Sequence, residues 1–321
     1  MDERIELKKE TVDLVSKIQK KSNVCIKDVL SEFTIFGYIS SGYFGDVYAM
    51  GFGKDKRYTG TSYTSAAKTK RVPKFVMKVT FNSKENMNEV KVLKNTLNSM
   101  WNQTPHIPLY YKHFTCDKTL FRGDRKQGVA KSYLDWDWVK NGKSIILMME
   151  YVGKSMDQFL SVNKDPSVEI VMLLQMLYTI HVMQHHKIVH GDLYVSNLTF
   201  MKSGKDENKV WEYKVGSESY MVPIGEYIPV LIDFGQAVKG EARMNDYSSN
   251  DAYVLMKNLQ RQTNHDVVYK FMKNITSKIY DEETNKMTQR YTQSSKIIKD
   301  FFPMFLKKSK HRDAAKLWKI N

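Results

Sequence analysis

Two short stretches constrain this chain more than any other part of it. Ile188-Val189-His190-Gly191-Asp192-Leu193-Tyr194-Val195-Ser196-Asn197 carries an aspartate and, five residues later, an asparagine. Leu231-Ile232-Asp233-Phe234-Gly235 places a second aspartate 36 residues after Asn197. Each stretch starts on apolar residues of strand character and runs into the polar residues of a loop. Two acids and an amide at the ends of apolar strands suit phosphoryl transfer. Asp192 would orient an accepting hydroxyl, while Asn197 and Asp233 would hold magnesium against a nucleotide triphosphate. Any one of these residues alone would read as a surface polar group; their order and spacing carry the reading.

Upstream, Phe33 to Ile39 and Asp46 to Met50 read as strands joined by Ser40-Ser41-Gly42-Tyr43-Phe44-Gly45-Asp46-Val47. Gly42 and Gly45 permit the backbone geometry that aims N–H groups at phosphates, although a plain glycine turn has the same composition. Lys78 sits inside the apolar strand Phe75 to Val79, where it is either an outward-reaching edge residue or a phosphate ligand. The segment Ser83 to Leu97 reads as a helix capped by Ser83, and offers Lys78 two acids one turn apart, Glu85 and Glu89. Ser144 to Val152 is an apolar strand ending at Gly153. Met156 to Leu160 and Val168 to Gln184 read as helices. A mainly β part therefore precedes a mainly α part, with the join near Gly153. Residues 1–30 read as a helical extension with Ile5, Val12, Val15 and Ile18 on one face.

Taken in order, these landmarks resemble eukaryotic-type protein kinases over about residues 33 to 260. The resemblance implies an α+β, bilobal fold: a small antiparallel β lobe with one main helix over residues 31–153, and a larger, mainly helical lobe over 154–321. It implies ATP in the cleft between the lobes. Ser40, Gly42, Gly45 and Val47 would belong to the glycine-rich loop. Lys78 would contact the α- and β-phosphates and Glu89 would hold it. Glu150 and Val152 would offer backbone groups to adenine, with Met149 as gatekeeper. Asp192 with Lys78 would be catalytic, and Asn197 and Asp233 would bind Mg2+. Asp251 of Asp251-Ala252-Tyr253 would brace the catalytic loop from below, and Ser155 and Asp157 would lie near ribose. His190 reads as structural.

The chain departs from the kinase pattern in four places. Gly191 stands where the usual arginine would be, which removes the charge partner of a phosphorylated activation loop and implies activity without that phosphorylation. Tyr194 replaces the catalytic-loop lysine. Only 15 residues separate Gly235 from Asp251, so the activation segment is truncated. Between Asn197 and Asp233, Val210 to Val215 and Tyr220 to Pro223 read as an extra hairpin. These features look most like haspin-type kinases and the kinases of large DNA viruses, and the expected activity is phosphorylation of serine or threonine in proteins. A small-molecule or tRNA-associated phosphotransferase and a pseudokinase scaffold are the alternatives.

Composition limits the partners. Lys and Arg outnumber Asp and Glu by 50 to 35, a net charge of +15. The excess clusters at 51–74 and 307–319, so an acidic or DNA-associated partner is one expectation and a solvated basic face the other. The two cysteines, Cys25 and Cys116, share no metal-ligand spacing. That argues for an intracellular setting and against a disulfide. The apolar run Ile170 to Ile180 contains Gln175 and reads as a buried helix too short to span a bilayer.

Overall fold

The computed structural model describes residues 2–18, 24–42, 45–53, 73–117, 143–204, 208–240, 250–281, 283–284, 286–288, 291 and 293–307. It is mixed α+β and divides into two compact units. Unit 1 comprises Met1–Asn98 and Pro108–Tyr151; unit 2 comprises Ser99–Ile107 and Val152–Asn321. The basic stretch 51–74 falls largely outside the described residues, and so does the tail beyond Lys307.

Unit 1 starts with α1 (Asp2–Ile18) and the short α2 (Ile26–Val29), followed by β1 (Phe33–Gly42), β2 (Gly45–Phe52), β3 (Phe75–Phe81) and α3 (Lys84–Val92). A π-helical turn, Leu93–Leu97, leads into the short α4 (Asn98–Met100), and β4 (Tyr110–Cys116) and β5 (Ser144–Glu150) complete the sheet. All five strands are antiparallel, in the order β1-β2-β3-β5-β4. Ile145, Ile146, Leu147 and Met148 of β5 are all buried, so consecutive side chains on both faces of this strand are covered. Ser83 caps α3 by accepting a 3.1 Å bond from the Asn86 N–H. The helix expected through Leu97 changes to π geometry at Leu93, which turns Leu93 and Leu97 into the core.

Two sequence expectations are corrected in unit 1. The buried side of α1 is Arg4, Thr11, Val15 and Ile18, whereas Ile5 is half exposed. The stripe follows the helical period through a charged and a hydroxyl residue, which a purely apolar pattern misses. The cysteines, read as unpaired, form a disulfide: Cys25 and Cys116, 91 residues apart, lie with Cα atoms 4.9 Å from each other. Tertiary packing brings Cys116 at the end of β4 to Cys25, the residue that precedes α2, a proximity that cysteine spacing cannot report.

Unit 2 contains β6 (Lys154–Ser155), α5 (Met156–Val162), α6 (Pro166–His185), β7 (Ile188–Val189), β8 (Leu198–Lys202), β9 (Val210–Val215), β10 (Glu218–Pro223), β11 (Tyr227–Leu231) and β12 (Val238–Lys239). It continues with α7 (Asp251–Gln262), α8 (Asp266–Ile279), the two-residue strands β13 (Tyr280–Asp281) and β14 (Lys286–Met287), and α9 (Ser294–Phe301). Helix α6 is capped by Asp165, which accepts a bond from Ser167 N–H. At 20 residues it is long and apolar enough to cross a membrane, contrary to the short run expected, but 83% of its apolar window is buried inside the protein. Strands β9 and β10 form the expected hairpin. Buried His106 ties the Ser99–Ile107 segment to this unit through bonds to Pro229 O (2.8 Å) and the Tyr213 hydroxyl (2.5 Å). Tyr213 in turn stacks on Tyr178 with ring centroids 4.0 Å apart.

Candidate functional site

Strand pairing within unit 2 gathers the acids and the amide. β8 and β11 run antiparallel with Leu198 opposite Leu231, and the Ile232 N–H donates to Asn197 O at 2.9 Å. Asn197 and Asp233 therefore leave the same end of one ladder, although 35 residues separate them in the chain. β7 and β12 form a second ladder, with Val189 opposite Val238. The segment 188–199 is thus paired with 230–239 on both sides of the loop that carries Asp192. The β9–β10 hairpin fills the interval without disturbing either ladder.

His190 and Asp251 hold the loop from beneath. The Asp251 carboxylate accepts the His190 N–H at 2.7 Å and the Gly191 N–H at 3.0 Å. His190 is fully buried, 4.7 Å from the Phe234 ring centroid. Its Nε2 lies 3.0 Å from Ile232 O, and its Nδ1 lies 3.3 Å from Asp192 N. A carbonyl only accepts and an amide N–H only donates, so the proton resides on Nε2 and Nδ1 is the acceptor. Gly191 has φ +78°, and a Cβ at that position would lie 3.1 Å from Gln236 O. A glycine at this position is thus favoured by the backbone of the loop.

Burial gives these two groups opposite pH dependences. It pushes the His190 imidazole down to about 4, against the smaller opposing effects of the Ile232 carbonyl and Asp233. Burial pushes Asp251 up to about 6, against the two N–H bonds that it accepts. Between about pH 6.5 and 4 the unfolded chain protonates His190 and the folded chain does not, so stability falls as pH falls, by roughly 3 kcal/mol in all. Between about pH 6 and 4 the folded chain holds a proton on Asp251 that the unfolded chain lacks, so stability rises as pH falls, by a similar amount. The two contributions offset each other. Asp251→Asn removes the second one, and its urea midpoint is expected to fall more steeply than that of the native chain from pH 6 to 4. Parallel midpoint curves for the two proteins would contradict this.

Asn197 fixes Asp192. Its Nδ2 donates to Asp192 O and to Asp192 Oδ2, both at 2.8 Å, which locks the carboxylate rotamer. Asp192 is half-buried, and its pKa is raised first by burial and also by the charge of Asp233, against the Asn197 bond. Asp233 occupies the left-handed region at φ 62°, ψ 72°, an uncommon conformation for a side-chain-bearing residue and one found disproportionately at functional sites. A Cβ on Gly235 would sit 3.4 Å from Asp233 Oδ1. Among the described residues no cluster of three or more His, Cys, Asp or Glu side chains is placed to hold a metal. The donor set offered is a carboxylate and an amide. Both bonds that Asn197 makes to Asp192 leave from Nδ2, so its Oδ1 remains an acceptor. All-oxygen donors of this kind match magnesium, which keeps several of its waters.

Unit 1 contains most of the remaining candidates, while Val152, Ser155 and Asp157 lie in unit 2. Lys78, buried in β3, pairs with Glu89 Oε2 at 2.8 Å; exposed Glu85 is the acid that the fold rejects. Both partners lie under 10% exposed, so the ammonium is held in place inside the protein. Val47 lies opposite Lys78, and Ser40 lies opposite Val47. Gly42 pairs with Gly45, while Tyr43 and Phe44 lie outside the described residues. Gly45 has φ +129°, and a Cβ there would come within 2.4 Å of Val79 O, so only glycine fits. Glu150 ends β5; its N–H donates to Leu109 O and its side chain is buried. Val152 belongs to unit 2, where it packs with Ile224, Ile228 and Val230. Exposed Asp157 and half-buried Ser155 stand at the start of α5, Asp157 in its first turn.

Sequence reasoning missed Arg4. Its guanidinium grips Glu150 with both prongs, Nε to Oε1 at 2.6 Å and Nη2 to Oε2 at 2.7 Å. The same Oε2 accepts Leu109 N–H at 3.1 Å. A partner 146 residues away leaves no local trace, although an arginine on the buried stripe of α1 is the one signal available. No family model matches the chain, and no curated protein matches it either.

Proposed function

We propose that this chain transfers the γ-phosphoryl group of ATP to serine or threonine hydroxyls of proteins, as a divergent kinase of bilobal α+β fold. One observation carries the reading: the Asn197 amide binds both the main chain and the carboxylate of Asp192, next to Asp233 at the end of the same ladder. Surface polar residues do not need two bonds to set one rotamer. The unit 1 antiparallel sheet with its main helix, and the helix-rich unit 2, support the lobes that the kinase resemblance implies.

In the proposed step Asp192 orients the acceptor hydroxyl and takes its proton as the new O–P bond forms and the bond to the ADP oxygen breaks. Oδ2 is occupied by Asn197, which leaves Oδ1 for the hydroxyl. The raised pKa of Asp192 improves it as a base. Asn197 Oδ1 and Asp233 would hold magnesium, which supplies charge neutralisation on the phosphate oxygens. Lys78, held by Glu89, would align the α- and β-phosphates. Glu150 and Val152 would border adenine.

The direct test incubates the full chain with γ-labelled ATP and Mg2+ against casein and histone, with sugars, choline and aminoglycosides in parallel. Label on Ser or Thr is expected. Label on a small molecule alone would overturn the acceptor class, and absence of transfer despite a Mg-ATP thermal shift would favour a scaffold. In the same assay Lys78→Met combined with Glu89→Gln, which avoids a stranded buried carboxylate, is expected to lower kcat by on the order of 10²-fold. An unchanged kcat would remove Lys78 from the phosphate site.

A further inference from the structure

The end of β5 is fastened to the first helix in a way that alters its strand pairing. Tyr110 lies opposite Met149, so Leu109 stands opposite Glu150. Directly opposed residues of an antiparallel pair can exchange both N–H···O=C bonds. The Glu150 N–H donates to Leu109 O at 2.9 Å, but the Leu109 N–H donates to the Glu150 side chain, Oε2, at 3.1 Å. Leu109 therefore does not claim the Glu150 carbonyl. Arg4 sets up this exchange, since its guanidinium holds both carboxylate oxygens, Nε to Oε1 at 2.6 Å and Nη2 to Oε2 at 2.7 Å. A bidentate grip sets the plane of the carboxylate as well as its position, which an ammonium does not. All three residues belong to unit 1.

The helix that carries Arg4 is itself anchored. Thr11, Val15 and Ile18 continue its buried side, and Lys8 Nζ donates to Asn98 Oδ1 at 2.8 Å. Burying a guanidinium and a carboxylate costs desolvation, and an apolar pair of similar volume would hold the helix to the sheet as well. Packing alone thus does not account for the two ions. What they supply beyond an apolar pair is an acceptor for the Leu109 N–H, and hence a carbonyl at the end of β5 that Leu109 leaves open. A carbonyl takes only donors. The exocyclic amino group of adenine is a donor, while guanine carries an acceptor oxygen at the same ring position.

We propose that Arg4 is a positioning residue for adenine. By holding the Glu150 carboxylate on Leu109 it keeps the Glu150 carbonyl open to the base, so the first helix sets a preference for ATP over GTP. The inference rests on the phosphoryl-transfer reading, in which Glu150 borders adenine, but equilibrium binding measures it without turnover. The probes are Mg-ATP and Mg-GTP, titrated into the full chain by calorimetry. The native chain is expected to bind Mg-ATP the more tightly. Arg4→Met combined with Glu150→Met removes both ions without stranding either, and it frees the Leu109 N–H to take the carbonyl. Its urea midpoint is expected to stay close to native. Its affinity for Mg-ATP is expected to fall by roughly three- to tenfold, the contribution of one hydrogen bond, with affinity for Mg-GTP unchanged. Arg4→Met with Glu150→Gln keeps an acceptor for Leu109 and is expected to retain most of the preference. Arg4→Lys keeps the charge without the fork, gives a partial loss in the same direction and covers the case in which the apolar pair unfolds unit 1. A purely structural role would move the urea midpoint and the binding of both nucleotides together. Equal binding of the two nucleotides by the native chain, or a preference that survives both the apolar pair and Arg4→Lys, would overturn the proposal. Absence of nucleotide binding would overturn it together with the kinase reading. If the preference exists and is lost on Arg4 substitution while no phosphate is transferred, the kinase reading fails and the Arg4 assignment stands. If phosphate reaches Ser or Thr and the Arg4 variants keep the native preference, the Arg4 assignment fails and the kinase reading stands.

Discussion

Asp192→Asn is expected to lower kcat by roughly 10²- to 10⁴-fold, the usual contribution of a positioned general base. The substitution is nearly isosteric, and its amide oxygen can still accept the Asn197 bond now made to Oδ2 at 2.8 Å. The His190–Asp251 brace does not involve the Asp192 side chain, so the fold is expected to stay intact. On the phosphoryl-transfer proposal, what is lost is the capacity to take the acceptor proton, an interaction made only as the hydroxyl reacts. kcat and kcat/KM should therefore fall together while the Mg-ATP thermal shift persists. Steady-state kinetics alongside a nucleotide melt would show it. A variant turning over at the native rate would end the assignment of Asp192 as base, and with it the strongest support for phosphoryl transfer.

Arg4→Ala is expected to destabilise unit 1 by about 3–5 kcal/mol, the cost typical of stranding one member of a buried ion pair. Arg4 is 6% exposed and Glu150 3% exposed. Without the guanidinium, Glu150 keeps only the Leu109 N–H, and its charge remains in a setting that also raises the pKa of buried Tyr111, chiefly through burial and secondarily through Glu150. Arg4→Met with Glu150→Gln should recover most of the loss, because the amide keeps an acceptor for Leu109 and no charge is left stranded. Urea unfolding of the two proteins distinguishes this account from simple loss of side-chain packing. Equal destabilisation of the single and double variants would show that the pair matters only for its contacts. The first helix, expected as an N-terminal extension, thus holds the end of β5 in shape.

Elements with a local cause were readable in advance. The Ser83 cap, the β9–β10 hairpin and the buried character of α6 each follow from a few consecutive residues, and the structure has all three. Lys78 was expected to pair with Glu89, with Glu85 as the competing acid, and the structure pairs it with Glu89 while Glu85 is exposed. Misreadings arose where distant chain segments meet. Ile5 looks like a core residue by type, yet it faces out while Arg4 faces in, because Glu150 offers a buried partner. The disulfide joins the residue before α2 to the end of β4, a tertiary proximity that the position of neither cysteine in the chain reports.

The residues themselves determined the chemistry on offer: an acid and an amide in one loop, a second acid ahead of Phe234-Gly235, a lysine in an apolar strand, and glycines where the backbone turns. Side-chain type and short spacing are covalent facts, so a single chain read once reveals them. The tertiary structure alone decided which of these groups meet, since two antiparallel ladders, a buried His190–Asp251 brace and the Arg4–Glu150 pair act across 25 to 146 residues. Contacts of that reach depend on burial and strand register, quantities that exist only once the chain has folded.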